Sequence, residues 1–103
     1  MKESVIANVT IIPVGTAHPS LSHYIAACFK IVKQAQGISY QLTAMGTTIQ
    51  GPLERVLELV KEIHEVPFTQ GAQRVFTAIS IDDRRDKAIT IEGKVQAVKQ
   101  LAD

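Results

Sequence analysis

The strongest candidates for chemistry in this sequence are charged side chains at the end of a predicted strand. Asp82 has the same strand parity as Arg74 and Phe76, so these three side chains are expected on one face of the strand. A carboxylate and a guanidinium at a sheet end can fix one orientation of a bound heterocycle. Asp82 is therefore a candidate ligand-binding residue. The charged residues that follow it, 83–87, are expected to form a solvated loop with weak ion pairs.

Two polar segments each have a structural and a functional interpretation. Ser20, Ser22 and Tyr24 begin a predicted helix, where free backbone N–H groups and hydroxyls can meet a polar ligand. From the spacing alone we favour the structural interpretation, in which the serines only cap the helix. The second segment is Met45-Gly46-Thr47. Its structural interpretation is a tight turn in which glycine supplies a positive φ and methionine fills a gap in the core.

The sequence lacks the common contiguous motifs of enzymes and metal sites. The three histidines, at 18, 23 and 64, have neither the i,i+4 spacing nor the cysteine partners of a zinc site, so we expect no metal. Cys28 lies on the apolar side of a predicted helix and is expected to be a core residue and not a nucleophile. No GxGxxG, GxxxxGK or GxSxG motif is present. We expect no catalysis; the alternative is a small enzyme acting on a heterocycle, with Asp82 or His64 as general base.

Composition and charge favour one globular domain over residues 1–103. The chain is 46% hydrophobic and 20% charged, and its length suffices for one core but not for two. A net charge of +1 gives no field that would attract nucleic acid or anionic lipid. The single cysteine cannot form an internal disulfide, the N-terminal segment lacks secretory features, and no apolar run approaches the roughly 20 residues of a membrane span. We therefore expect a soluble, cytoplasmic protein with neither a nucleic acid nor a membrane as partner.

Hydrophobic periodicity predicts the order β-α-β-β-α-β followed by a third helix. The predicted strands are 5–14 and 74–82, and a hairpin of two further strands runs from 39–43 through Met45-Gly46-Thr47 to residue 49. The predicted helices are 20–36, 52–67 and 89–101. Pro67 is expected to end the second helix, and Gly93 weakens the third by about 1 kcal/mol relative to alanine. This order is typical of an α+β, ferredoxin-like fold, in which two helices cover one face of an antiparallel sheet.

The other face of the sheet is expected to be uncovered and substantially apolar. Its predicted residues are Ile6, Asn8, Thr10, Ile12, Gln41, Thr43, Phe76 and Ala78. An apolar patch of this kind on a small protein usually marks an interface. We therefore expect self-association through the sheet; a regulatory module that recruits another protein through the same face is a further alternative.

Five segments in a fixed order resemble the small thiamine-binding protein family over nearly the whole chain: IPVGT, SLSHYIAA, YQLTAMGTTIQG, HEVPF and RVFTAISIDDRRDK. The resemblance implies a ferredoxin-like fold, a homotetramer that pairs sheets, and binding of thiamine or a related aminopyrimidine without established catalysis or a required cofactor. Thiamine needs hydrogen-bonding groups for its aminopyrimidine, a carboxylate or aromatic ring for its cationic thiazolium, and apolar walls. The residues expected to supply these are Ser22, Tyr24, Tyr40, Met45, Thr47, Gln50, Arg74 and Asp82.

One departure from the family pattern falls within this set. The family usually has an acidic residue before the glycine where this chain has Gln50-Gly51, so a negative charge is lost. Gln50 still offers an acceptor and two donor hydrogens, and we expect a weaker or different ligand if the carboxylate normally contacts it. Apart from Arg74 and the 84–85 pair, few basic residues lie near the expected site, which favours an unphosphorylated ligand. The site is expected either within one subunit or between subunits.

Overall fold

The structure, a computed structural model, describes residues 4–103 and contains one four-stranded antiparallel sheet and three helices. The elements are β1 (Ser4–Val14), α1 (Ser22–Gln34), β2 (Ser39–Thr43), β3 (Gly46–Pro52), α2 (Leu53–Thr69), β4 (Arg74–Asp82) and α3 (Ile91–Ala102). The strand order is β2-β3-β1-β4, and every neighbouring pair is antiparallel. This is the ferredoxin-like α+β arrangement, which confirms the predicted fold class.

The central strand β1 organises the core. Alternate residues of β1 point toward α1 and α2, and those from Val5 to Ile11 are buried, as the sequence alternation predicts. The apolar stripes of the two helices cover this face because their buried residues recur every three or four positions. The resulting core consists of Val5, Ala7, Val9, Ile11, Cys28, Val32, Ile49, Val56, Leu59, Val60 and Ile63. Within the described residues, no helix combines the length and the apolar character that crossing a bilayer requires.

The start of α1 differs from the sequence prediction. The N-cap position is Leu21, no side chain caps the helix, and Ser20 Oγ donates to Ser22 Oγ at 3.4 Å. Neither serine accepts a backbone N–H here, so the capping interpretation is wrong. The helix also ends at Gln34, and the positive φ of Gly37 belongs to the loop that leads into β2.

The prediction that Pro67 ends the second helix is also wrong. Helix α2 continues to Thr69, with Pro67 buried in its last turn. Proline has no N–H to donate to the carbonyl four residues earlier, which is that of Ile63. The thiol of Cys28 on α1 donates to this carbonyl instead, with an S···O distance of 3.4 Å. The helix therefore tolerates the proline, because a neighbouring helix supplies the missing donor.

The hairpin between β2 and β3 turns at Ala44 and Met45, so Gly46 and Thr47, which were predicted to belong to the turn, begin β3. Gly46 does not have a positive φ, and the side chain of Met45 is 82% exposed, so neither role predicted for the turn is correct. Glycine is needed for a different reason. A Cβ at this position would lie 2.7 Å from the carbonyl oxygen of Val9 and 2.9 Å from Thr10 Oγ1.

Helix α3 covers part of the sheet face that was expected to be open. Ile6 is only 8% exposed because Ile89 and Ile91 pack on it. Thr90 caps the helix by accepting from Gly93 N–H at 2.9 Å, so this glycine lies in the first turn. There it lowers the stability of the helix less than it would in the helix interior. The inclusion of Ile6 among the open-face residues was therefore wrong, whereas Phe76, at 60% exposure, lies on the open face as predicted.

The first testable prediction concerns Cys28, which is 6% exposed. Burial raises the pKa of its thiol from 9.0 to about 11, so the native state favours the neutral thiol. The contribution of this protonated thiol to the free energy of unfolding is fully present below pH 9.0 and is lost as the pH rises toward about 11. Relative to Cys28→Ala, the wild-type protein should lose roughly 2 kcal/mol of unfolding free energy over this interval, as measured by urea denaturation. A difference between the two proteins that does not change with pH would contradict the assignment.

Candidate functional site

A groove begins where β3 is shorter than its neighbour. Strand β1 pairs with β4 as far as Val14, but its pairing with β3 ends at Val9, opposite Thr47. Beyond Val9 the β3 side of β1 therefore faces no strand. The turn at residues 44–45 lies beside this unpaired stretch, and the space between them forms the groove.

Two threonines hold the turn in place. Thr10 Oγ1 donates to the carbonyl of Met45 at 3.0 Å, and Thr43 Oγ1 donates to the carbonyl of Gly46 at 2.8 Å. The close approach of Gly46 to the backbone of Val9 completes this junction. These contacts hold the turn in one position against β1, so the turn forms a well-defined wall of the groove.

The first part of the groove, which we call the turn hollow, has a volume of about 240 Å³. Its walls are the end of β1, the β2–β3 turn and one side chain from each of α1 and α2, and they are mainly apolar. The lining residues are Val9, Thr10, Ile11, Ile25, Leu42, Thr43, Ala44, Met45, Gly46, Thr47 and Ile63.

The second part, which we call the helix hollow, adjoins the first and has a volume of about 460 Å³. One stripe of α1 forms one side and the end of β2 with the turn forms the other. The lining residues are Leu21, Ser22, Ile25, Ala26, Phe29, Leu42, Thr43 and Ala44. Four residues line both hollows, so the two are parts of one groove: Ile25, Leu42, Thr43 and Ala44.

The groove has the chemistry of a site for a small, flat ligand that makes no ionic contact with a lining side chain. No carboxylate, ammonium, guanidinium, imidazole or thiol is among the side chains that line either hollow. Its polar lining residues are Ser22 and the threonines around the turn. Mostly apolar walls with a few placed hydrogen-bonding groups are typical of small-molecule sites, which usually occupy about 300–1,000 Å³.

Three of the eight predicted ligand residues line this groove. Ser22 lines the helix hollow, and Met45 and Thr47 line the turn hollow. Tyr40 lines neither hollow: its ring is edge-on to that of Phe29 at a centroid distance of 5.5 Å, and it lines a separate cleft beside the start of α3. Tyr24 is on α1 but lines neither hollow, and its ring lies 4.4 Å from that of His23.

Gln50 and Asp82 lie elsewhere, on the opposite face of the sheet beside α3. Both residues are opposite Ile6 in the two pairings of β1. Gln50 Oε1 accepts from the backbone N–H of Ile91 at 2.8 Å, and Asp82 Oδ2 accepts from Lys94 Nζ at 2.7 Å. These contacts hold the start of α3 on the sheet, so both side chains have structural partners in the chain.

The predicted pairing of Arg74 with Asp82 does not form within one chain, and the two alternative general bases, Asp82 and His64, lie far from each other. Arg74 and Asp82 share a face of β4 but stand at its opposite ends, about 26 Å apart at 3.3 Å per residue, so they cannot both contact one heterocycle. His64 Nδ1 lies 2.7 Å from Thr77 Oγ1 on the helix-covered face, whereas Asp82 lies on the other face. The two candidate general bases are therefore separated by the sheet.

The charged loop after β4 is solvated and internally paired, as predicted. Arg85 donates to Asp83 and Arg84 donates to Asp86, each through two hydrogen bonds. These hydrogen bonds lower the pKa of both aspartates below its usual value. Residues 4–103 contain no cluster of histidine, cysteine and acidic side chains able to hold a metal ion.

Sequence reasoning missed several residues of the groove. Phe29 and Ile25 were assigned only to an apolar helix stripe, and Thr10 and Thr43 only to the open sheet face. The available signal was the length difference between the first strand and the short hairpin, because it leaves β1 unpaired beside the turn. Reading this signal requires the register of the strands, which the sequence does not specify.

Comparison with known proteins gives a consistent result. Residues 7–99 match the family described as Thiamine-binding protein. The UPF0045 protein YqgV of Bacillus subtilis is 51% identical over 98 residues, covering 92% of this chain and 94% of that protein. A crystal structure of a hypothetical protein from Methanocaldococcus jannaschii superposes with a TM-score of 0.85 at 34% identity, over 95% of this chain and 98% of that one.

A third similar structure has a name that refers to a ligand. It is described as a "putative thiamine biosynthesis/salvage protein" from Thermotoga maritima. It superposes with a TM-score of 0.75 at 25% identity, over 92% of this chain and 98% of that one.

The geometry of the turn gives a second testable prediction. Gly46→Ala should lower the unfolding free energy by about 1–3 kcal/mol, because the new Cβ would lie 2.7 Å from the carbonyl oxygen of Val9. Urea denaturation measures the loss. Gly93→Ala is the comparison, since its Cβ would lie 2.9 Å from one side-chain atom, Thr90 Oγ1, and close to no backbone atom, so its cost should be smaller. Equal effects of the two substitutions would contradict the role assigned to Gly46.

Proposed function

Because this chain belongs to the thiamine-binding protein family, we propose that it binds thiamine or a related aminopyrimidine in the groove between α1 and the β2–β3 turn. One observation carries the proposal: two adjoining hollows with mostly apolar walls lie at the unpaired end of β1, and threonines around the turn are among their lining residues. The name of the similar Thermotoga maritima structure supports the same ligand class.

The ligand is proposed to be unphosphorylated and to leave the protein unchanged. A phosphate requires basic side chains or clustered backbone donors, and no lysine or arginine lines either hollow. General acid–base catalysis requires a titratable group within hydrogen-bonding reach of the ligand, and the lining side chains include none in its ordinary titration range. Mass spectrometry of thiamine incubated with the protein should therefore show no new product. A cytoplasmic location is also proposed, since the one cysteine is a buried free thiol.

Filling the groove is the direct test of the site. Ala26 lines the helix hollow, so Ala26→Phe should place a ring where the ligand lies and reduce thiamine affinity at least tenfold in isothermal titration calorimetry. The matched control is Gln34→Phe, an exposed position two turns further along α1 that lines neither hollow. Its affinity should equal that of the wild type.

Two results would reject this proposal in different ways. No binding heat and no thermal shift with millimolar thiamine would reject thiamine as the ligand. Binding that survives Ala26→Phe but is weakened by Asp82→Ala would instead place the ligand beside α3, where Asp82 contacts Lys94.

We also propose that the chain assembles into a homotetramer through its open sheet face. Ile12 and Phe76 are directly opposite each other on β1 and β4, and both are exposed. The apolar side chains of α3 are increasingly exposed toward its end, reaching 89% at Leu101, so this helix also lacks a complete partner. Uncovered apolar area of this kind favours association with another surface, and the sheet face is available for pairing.

Assembly is tested by light scattering coupled to size-exclusion chromatography. The wild-type protein should have four times the mass of the 11.2 kDa chain. Phe76→Glu should yield smaller species, because a carboxylate would be buried without a partner in the interface. Phe68→Glu, on an exposed position of α2, is the control and should keep the wild-type mass. A monomeric wild-type protein at micromolar concentration would contradict the proposal.

A further inference from the structure

The two hollows of the groove differ in the chemistry that they offer. Three threonines line the turn hollow, Thr10, Thr43 and Thr47, and of these only Thr43 also lines the helix hollow. Strand alternation places the Thr47 side chain on the helix-covered side of the sheet with Val9, and those of Thr10 and Thr43 on the other side. The only aromatic side chain that lines either hollow is that of Phe29, and it belongs to the helix hollow. A ligand with two unlike rings would therefore meet different groups at its two ends.

The Thr47 hydroxyl is the polar group that the turn hollow offers on the helix-covered side of the sheet. Thr10 and Thr43 instead donate to the carbonyls of Met45 and Gly46 and hold the turn. Thr47 Oγ1 makes no hydrogen bond within the part of the chain that the structure describes, so it can both donate and accept. An aminopyrimidine edge presents an N–H donor next to a ring-nitrogen acceptor, and a free hydroxyl is complementary to either group.

The helix hollow offers the only feature in the groove that favours a cation. An aromatic face attracts a positive charge through its quadrupole, and no carboxylate lines the groove to do so instead. The edge-on contact with Tyr40, at an interplanar angle of 84°, restrains the Phe29 ring. Phe29 also packs against the buried core, so its position is fixed from two sides.

From this division we infer that Phe29 determines specificity for the cationic ring of the ligand: the aminopyrimidine lies in the turn hollow and the thiazolium lies against Phe29 in the helix hollow. The inference rests on the proposed function, since it orients a thiamine-like ligand in the same groove. The two hollows share Ile25, Leu42, Thr43 and Ala44, so one methylene-bridged pair of rings can occupy both.

Calorimetry with two ligands tests the assignment. The ligands are thiamine, which carries the cation, and its aminopyrimidine half as the neutral hydroxymethyl compound. Phe29→Leu keeps an apolar wall but removes the aromatic face, so it should weaken thiamine binding by about 2- to 30-fold and change pyrimidine binding by less than about twofold. Thr47→Val should weaken both ligands by about 2- to 10-fold, and Thr47→Ser, which keeps the hydroxyl, should restore both.

The control for loss of an aromatic ring is Phe68→Leu, which lies outside the groove and contacts His64. It should leave both affinities unchanged, and thermal denaturation checks that each variant is folded. An equal loss of affinity for both ligands in Phe29→Leu, or a loss of affinity for thiamine alone in Thr47→Val, would overturn the proposed orientation. Neither result would contradict the proposal that the wild-type protein binds thiamine. Wild-type protein that binds thiamine but not the pyrimidine at millimolar concentration would also overturn it. Absence of binding by either ligand would reject the proposed function itself, and the orientation with it.

Discussion

The unequal length of two paired strands is the constraint on which the candidate site depends. β1 has 11 residues and β3 has seven, and their pairing stops at Val9 while β1 continues beside β4. A longer hairpin would extend the sheet over the same space and leave no groove. The chain ends the hairpin early with a turn held by Thr10 and Thr43, and the absence of a Cβ at Gly46 lets the turn approach the central strand.

The floor of the groove depends in turn on the contact between the two helices. Ile25 of α1 and Ile63 of α2 both line the turn hollow. One turn away, the Cys28 thiol donates to the Ile63 carbonyl that Pro67 leaves without its usual helical donor. A proline near the end of one helix is thus matched to a cysteine on the other. This contact helps to set the relative position of the side chains that line the groove, which gives the buried cysteine a structural role although its neutral thiol is a poor nucleophile.

The sequence predicts the fold well because hydrophobic periodicity is strong in every element. The strand and helix order, the buried alternation of β1 and the outward position of Phe76 all follow from local spacing. The errors occur where a distant partner decides the outcome: Cys28 lets a helix continue through Pro67, and Ile89 with Ile91 buries Ile6. The groove itself is less predictable, since Met45 and Thr47 reach it through the register of β1 with β3, and Ser22 reaches it through the placement of α1. Gln50 and Asp82, which residue chemistry favoured, hold α3 instead.

The central claim is that the ligand lies at the unpaired end of β1 and not beside α3. Nuclear magnetic resonance measures this directly, by titrating thiamine into protein with labelled methyl groups. The account predicts chemical-shift changes at Ile25, Leu42 and Thr47, which line the groove, with little change at Ile6 and Ile89 under α3. Changes concentrated at Ile6 and Ile89, with the groove methyl groups unaffected, would contradict it.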